Sequence, residues 1–532
     1  MSQTIYFNGE IITMESQQPV EAVLAENGRI CLVGSKEKVF DRADRKARRF
    51  DLQGKTLLPG FIDSHSHITA LASSLGLISL KGGKSFEDIK QRVQSHMQQN
   101  PVPEGQWVMG FGYDHNALAE KKHPDKTLLD QISSDRPVLL VHASGHMGVA
   151  SSLALKLLGI DRDTPDPEGG KIGRIAGSTE PDGYLEETAF TKIAADMPRP
   201  GPQQIGAQFK KAQQVYLQYG ITTAQDGLTR EKEWEMLLAC AKGQELVLDV
   251  VSYLDLQSAS HLAGEFPAHW KQYQNRLKIG GYKIFLDGSP QGRTAWMLEP
   301  YAGGEPGYCG YPVHTDEQVQ ALIRTALTQD AQLLAHCNGD AAAQQYICCF
   351  QKVLDEENGH TSTRPVMIHA QLVRDEQLRA MAALHMIASF FVDHTYDWGD
   401  VHIENFGFDR AKDISPAASA MDCGVVYTFH QDTPVMLPNM LKTLWCAVNR
   451  KTKKGLTLGE EQRISVYEAL KAITINGAFQ YGEEDQKGSI KAGKLADFVV
   501  LSQNPITAPK DQLKDIQVEA TIKEDQVVYQ RQ

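Results

Sequence analysis

From residue 311 to residue 432 the chain alternates short apolar strands with amphipathic helices, and this alternation limits the fold more than any other feature. The segment "TDEQVQALIRTALTQD" (315–330) sets Val319, Leu322, Ile323 and Ala326 on one helical stripe. The strand-like "AQLLAHCNGD" follows, then a helical stretch from about 341 to 357 and the strand "PVMIHAQLV" (365–373). The helix "RDEQLRAMAALH", the strand "MIASFFV" (386–392), a helix around "SPAASAMDCG" and the strand "VVYTFHQD" (425–432) continue the pattern. Repeated strand–helix units with apolar strands mean a parallel sheet covered by helices. Polar residues close these strands: His336, His369 and Asp432. In a closed (β/α)8 barrel such strand ends meet on one face, whereas an open doubly wound sheet spreads them along a row. No Gly-x-Gly-x-x-Gly loop or P-loop follows a strand, so nucleotide binding is not indicated. The expected fold is α/β, a (β/α)8 TIM barrel.

Ahead of this region stands "LLPGFIDSHSH" (57–67). Its apolar start and polar end read as a short buried strand. Side chains alternate along a strand, so His65 and His67 point the same way and can act as a pair of ligands for zinc or a similar ion. Residues 1 to about 57 read as short strands with hairpin signals at "NGE" and "ENGR", and the texture returns in "GSIKAGKLADFVVLSQNP" (488–505) and "VEATIKEDQVVYQ" (518–530). Neither half has enough strands for a sheet of its own, so the two ends are expected to pair. The domain expectation is therefore a composite β-sandwich from 1–57 and 485–532, with a hydrolase barrel over 58–484. The stretch 68–275 exceeds what plain strand–helix units require, and it is read as long loops over the barrel mouth, among them "GGKIGRIAGSTEPDGYLEE". "SFEDIKQRVQSHMQQ" within it opens with a capping-box signature at Ser85 and Asp88.

A chain of 532 residues, 42% of them hydrophobic, can bury a large core. Its net charge of −12 argues against nucleic acid or an anionic membrane as partner, and fits a homo-oligomer as well as a monomer. Eight scattered cysteines form neither a disulfide framework nor a thiolate zinc site. The start, "MSQTIYFNGEIITM", lacks a basic and then apolar leader, and no apolar run approaches the roughly 18 residues of a membrane helix. A cytoplasmic protein acting on a small molecule is the expectation.

In chain order the strand ends offer His65, His67, Lys283 in "GYKIFLDGS", His336 in "LLAHCNGDAA", His369 in "VMIHAQ" and Asp432 in "TFHQDTPV". These make a ligand inventory for two adjacent metal ions. Together with "GITTAQDG" (220–227), "KIFLDGSPQGRTAWMLEPY" (283–301) and the closing "GSIKAGKLADFVVL", they make nearly the whole chain resemble the amidohydrolase superfamily. Within it, the chain is similar to the YtcJ-like, N-substituted formamide deformylase-like branch. The resemblance implies a (β/α)8 barrel with a composite β-sandwich. It also implies hydrolysis of a carbon–nitrogen bond other than a peptide bond, in an amide or an N-acyl or N-formyl amine, by metal-activated hydroxide. By the same resemblance His65 and His67 hold the more buried ion and His336 and His369 the second, with zinc the expected metal. Lys283, carbamylated by CO2, would bridge the two. Asp432 would bind metal and shuttle the proton. One ion or two remains open, because some members lack the bridge and a lysine can instead face the outer helices.

Further candidates come from the loops: Asp114 and His115 in "GFGYDHNALAE", and His142 and His146 in "VLLVHASGHMGVAS". His146 matches the Gly-His of the branch, where an acidic residue usually precedes; here Ser144 stands instead. His146 is read as a catalytic oxyanion or substrate contact, and Asp114, Glu187, Arg293 and Trp296 as substrate-binding. Tyr396 and Trp398 are candidates to wall an apolar pocket. Deamination and lactone, ester or carbamate hydrolysis are the alternative chemistries on such a barrel, and a non-catalytic scaffold the alternative of another class.

Overall fold

The computed structural model describes residues 3–100, 102, 105–145, 147–167, 170–190, 202–302, 305–357 and 362–532. Their contacts form two compact units, Met1–Leu71 with Phe209–Gln532, and Ala72–Gln208.

The first unit opens with five strands: β1 (Gln3–Ile11), β2 (Val20–Glu26), β3 (Arg29–Gly34), β4 (Arg48–Asp51) and β5 (Thr56–Pro59). The "ENGR" signal is a two-residue hairpin between β2 and β3, with Asn27 and Gly28 at φ +50° and +79°. Two successive positive φ values match the right-handed twist of the strands they join. The stretch read as one strand, "LLPGFID", is two. β5 ends at Pro59, and β6 (Phe61–Ile62) belongs to another sheet. Gly60 makes the crossing because the chain there presses on Thr222, where a Cβ would lie 2.5 Å from Cγ2.

Residues 72–208 hold more regular structure than a loop reading supposes. β7 (Ile78–Ser79), β8 (Val108–Tyr113), β9 (Val138–His142), β10 (Met147–Ala150), β11 (Gly170–Arg174) and β12 (Pro181–Glu187) form a sheet in the order β11-β12-β10-β9-β8-β7. The helix Phe86–Gln99 starts where its capping signature lies, with the Ser85 hydroxyl accepting from the Asp88 N–H. It buries Ile89 and Val93 with Leu129, Val138 and Leu140.

Back in the first unit come β13 (Ile221–Thr229), β14 (Asp249–Asp255), β15 (Leu277–Phe285), β16 (Gln332–Cys337), β17 (Val366–His369), β18 (Ile387–Phe390) and β19 (Tyr427–Phe429). With β6 in front of β13 they make an eight-stranded sheet, parallel throughout. The sheet curls. Just past β6, the Ser64 hydroxyl donates to the Phe429 carbonyl of β19 at 2.8 Å, and the His67 N–H donates to the Thr433 carbonyl at 2.8 Å. Ile62, Val251, Leu334, Val366, Ile368 and Ile387, from five of these strands, share one buried cluster with Tyr481. Each such side chain contributes about 1.5–3 kcal/mol relative to exposure.

β20 (Phe498–Leu501), β21 (Val518–Lys523) and β22 (Gln526–Gln530) close the chain. β20 lies antiparallel on β5, so strands from both termini share one sheet in the order β22-β21-β20-β5-β1-β2-β3, with β4 on β1. No helix among the described residues is long and apolar enough to cross a membrane.

Candidate metal centre

The donors that the sequence spreads over nearly four hundred residues collect just beyond the carboxyl ends of the parallel strands. His65 and His67 follow β6, and their Nε2 atoms lie 3.5 and 3.2 Å from Asp432 Oδ1. The three ligand atoms are all within 4.8 Å of one another. His369 closes β17 and His336 stands near the end of β16, their ring centroids 4.5 Å apart, and His369 is 5.6 Å from His65.

Two of the imidazoles are each aimed by a neighbour that fixes which nitrogen is bare. Gln225 on β13 donates its amide N–H to the Ser64 carbonyl at 2.8 Å and to the Tyr481 hydroxyl at 3.0 Å. Its Oε1 is therefore the acceptor facing His65 Nδ1 at 2.7 Å, which puts the proton on Nδ1 and leaves Nε2 with a lone pair. Asp287 faces His336 Nδ1 from 3.2 Å while accepting the N–H groups of Asn338, Gly339 and Trp296, which puts the proton on Nδ1 and leaves the Nε2 lone pair facing the Asn338 amide at 3.3 Å. Burial pushes the His65 and His369 rings well below the usual imidazole range, so both are neutral, the state a metal ligand needs. Gly227 supplies the room: a Cβ there would sit 2.6 Å from His65 Cε1.

Two further groups complete the chemistry. Lys283, 1% exposed on β15, has an Nζ with no hydrogen-bond partner, and burial lowers its ammonium to about 7. Burial works against ionising Asp432, yet the His67 ring hydrogen-bonded to it holds its carboxyl well below the usual range. Both His369 and Asp432 occupy left-handed backbone, φ +72° and +53°. Such conformations cost energy and persist where the surroundings fix them.

The donor set fits a divalent ion. It holds three imidazole or carboxylate donors in mutual reach, two more imidazoles alongside, and a buried amine without a hydrogen-bond partner. The sequence pattern of the amidohydrolase family matches residues 48–529. The chain belongs to the amidohydrolase family. It is 28% identical to the protein named YtcJ from Bacillus subtilis (strain 168), over 99% of this chain and 100% of that one. It is 26% identical to N-substituted formamide deformylase of Arthrobacter pascens, over 100% and 99%. Among solved structures, an uncharacterised metal-dependent hydrolase from Pyrococcus furiosus superposes with a TM-score of 0.78 at 25% identity, covering 95% of this chain and all of that one. This amidohydrolase is a hydrolase acting on carbon–nitrogen bonds other than peptide bonds, and its donor set fits a divalent metal.

Other residues named from the sequence lie apart in role. Arg293, at φ +57°, donates its Nε–H to Asn405 Oδ1 at 2.7 Å, and the Trp296 N–H is held by Asp287. Trp398 packs 4.5 Å from His394, and Tyr396 packs on Trp445. Asp114 and Glu187 belong to the unit 72–208, where Glu187 is exposed at the end of β12. There Asp114, His115 and His142 converge, with His115 Nδ1 3.2 Å and Asp114 Oδ1 3.7 Å from His142 Nε2. The Ser144 N–H donates to His142 Nδ1 at 3.1 Å, so Nε2 carries the proton, directed at His115 Nδ1 with Asp114 beside it. His146 lies outside the described residues. Sequence reasoning missed Gln225, Asp287 and His430. The first two stand inside quoted motifs, "GITTAQDG" and "KIFLDGS", and His430 is two residues before Asp432, facing His65 and His369 at 5.1 and 5.2 Å between centroids.

Proposed function

We propose that this amidohydrolase cleaves an amide of the N-acyl or N-formyl amine type, releasing a carboxylate and an amine. The observation that carries the reading is the Lys283 amine, buried on β15 without a hydrogen-bond partner, in the sheet whose other strands lead to His65, His67, His336, His369 and Asp432. A neutral amine at neutral pH is the form that combines with CO2, and the resulting carbamate is an anionic ligand where an ammonium would repel a cation. His65 and His67 would hold one zinc, His336 and His369 a second, and Lys283 would bridge them. A bound divalent ion lowers the pKa of water and polarises a carbonyl oxygen.

The chain's own residues do the rest. Asp432, ionised and beside both histidines of the first pair, takes a proton from the attacking water and returns it to the departing amine nitrogen. Gln225 and Asp287 keep the imidazoles in the tautomer that points a lone pair inward. Asp63 lies behind His65, accepting from the Ser66 hydroxyl, and burial raises its carboxyl to about 6. The reading carries with it a closed (β/α)8 barrel beside a composite β-sandwich of residues 1–57 and 485–532, and a cytoplasmic site of action that suits eight unpaired cysteines.

The test is elemental analysis of the purified chain and of Lys283→Ala, followed by assay of both for amine release. About two ions per chain, falling to one or none in the variant, and hydrolysis of N-formyl or N-acyl amines support the reading. Absence of metal after metal-replete preparation, or turnover confined to lactones and esters, overturns it.

A further inference from the structure

His369 lacks the kind of partner that fixes His65 and His336, for its Nδ1 meets another histidine. His430 Nε2 lies 3.2 Å from His369 Nδ1, and His430 Nδ1 lies 2.9 Å from Ser389 Oγ. Ser389 Oγ stands 3.5 Å from Ser64 Oγ, and Ser64 Oγ is 2.8 Å from the Phe429 carbonyl oxygen. All four side chains are buried: His430, Ser389 and Ser64 are fully enclosed and His369 is 4% exposed. None of the four side chains makes another hydrogen bond among the described residues.

A carbonyl oxygen can only accept. The Ser64 proton therefore points at Phe429, and Ser64 Oγ can only accept from Ser389. With its proton on Ser64 rather than on His430 Nδ1, Ser389 accepts from His430 Nδ1–H. A neutral imidazole carries one proton, so His430 Nε2 is bare and accepts from His369 Nδ1–H. The far end of the chain is then His369 Nε2, left with a lone pair.

We infer that His430, Ser389 and Ser64 form a directional hydrogen-bond chain, set by the backbone carbonyl of Phe429, whose task is to hold His369 in the Nδ1–H tautomer and so keep Nε2 free for a cation. His430 is a positioning residue that acts through His369. Ser64 precedes His65, so one dipeptide on the loop after β6 serves both ends of the centre: His65 by its ring, His369 by the hydroxyl next to it. The inference rests on the proposed metal centre for its purpose, but not for its polarity.

The experiment has two arms. Full-length protein with 15N-labelled histidine is examined by 1H–15N correlation before and after metal removal by chelator, with His430→Asn and His369→Asn used to assign the rings. Nδ1–H tautomers for both His369 and His430, present without metal, are expected; an Nε2–H proton on either overturns the inference. In the second arm zinc affinity is measured by competition with a chromogenic chelator for the wild type, Ser389→Ala and His430→Phe, the last keeping the ring packing and losing the acceptor. A loss of about 10–100-fold in His430→Phe, and a smaller loss in Ser389→Ala, is the expected result. Unchanged affinity in a His430→Phe protein of native circular dichroism overturns it. A variant that fails to fold leaves the decision to the wild-type tautomers. A wild type that takes up no zinc sinks the metal reading instead, and again the tautomers decide the inference.

Discussion

Lys283 sets the sharpest residue-scale expectation, because its amine is buried without a hydrogen-bond partner. In the metal-stripped, unmodified chain burial lowers its ammonium from 10.5 to about 7. Between those values the unfolded chain binds a proton at this site that the folded chain does not, so stability rises with pH across the window. The penalty is complete below about 7 and vanishes above 10.5. The thermal midpoint of the stripped, CO2-free chain is expected to climb from pH 7 to pH 9 more steeply than that of Lys283→Met; equal slopes would remove Lys283 as the cause. Gly227 makes a second case. Since a Cβ would stand 2.6 Å from His65 Cε1, Gly227→Ala should tilt the ring away from Asp432. Metal affinity, read by chelator competition, is expected to fall by about tenfold or more, and full affinity would show the ring free to yield. Gln225→Leu should weaken the same ligand from its other side, removing the acceptor at Nδ1 and leaving a buried N–H unpaired at a cost of about 1–3 kcal/mol, read as a lower denaturation midpoint. The ligand residues themselves were legible in the sequence because polar residues closing apolar strands are conspicuous. Gln225, Asp287 and His430 were not, since a polar residue that serves a ligand through space carries no periodic mark.

At the scale of elements, the terminal sheet depends on one carboxylate. Asp525, in the turn between β21 and β22, accepts from the Tyr6 hydroxyl at 2.5 Å and from Thr4 Oγ1 at 2.8 Å, with Arg48 3.3 Å away. Asp525→Ala strands two buried hydroxyls and should cost about 2–4 kcal/mol of stability, measured by urea unfolding, while metal content stays at the wild-type level. The pairing of the two chain ends was expected from their matching strand texture, and β20 on β5 bears it out in hydrogen bonds. The helices Asp316–Thr328 and Asp340–Glu356 also lie where the sequence places them, the first burying Val319, Ile323 and Ala326 of its apolar stripe with Leu322 half-buried. The failure at "LLPGFID" has a physical reason. Apolar residues on either side of Gly60 are buried in both sheets, so composition does not change where the chain passes from one to the other. The stretch 72–208 was illegible for a related reason. Its strands are short and interrupted by helices such as Phe86–Gln99 and Lys126–Ile132, and a sheet such as β11-β12-β10-β9-β8-β7 announces itself only when the strands pair.

For the molecule as a whole, a cation that binds only the folded chain stabilises it by mass action, by about 4 kcal/mol when free metal is a thousandfold above its dissociation constant. Stripping metal is expected to lower the thermal midpoint, and restoring zinc to raise it again; no shift in either direction would mean that no ion is held by the native state. The sequence by itself determined the parallel strand–helix architecture, the pairing of the ends, the amidohydrolase likeness and the inventory of donors. Those follow from periodicity and residue type, which are local. Tertiary structure alone decided that His65, His67 and Asp432 share one point in space, that Gln225 and Asp287 orient two imidazoles, and that a chain from Phe429 to His369 orders a third. Hydrogen-bond direction depends on which atoms meet. These atoms meet only because β6 and β19, at opposite ends of the strand order, are brought within reach by the curl of the sheet.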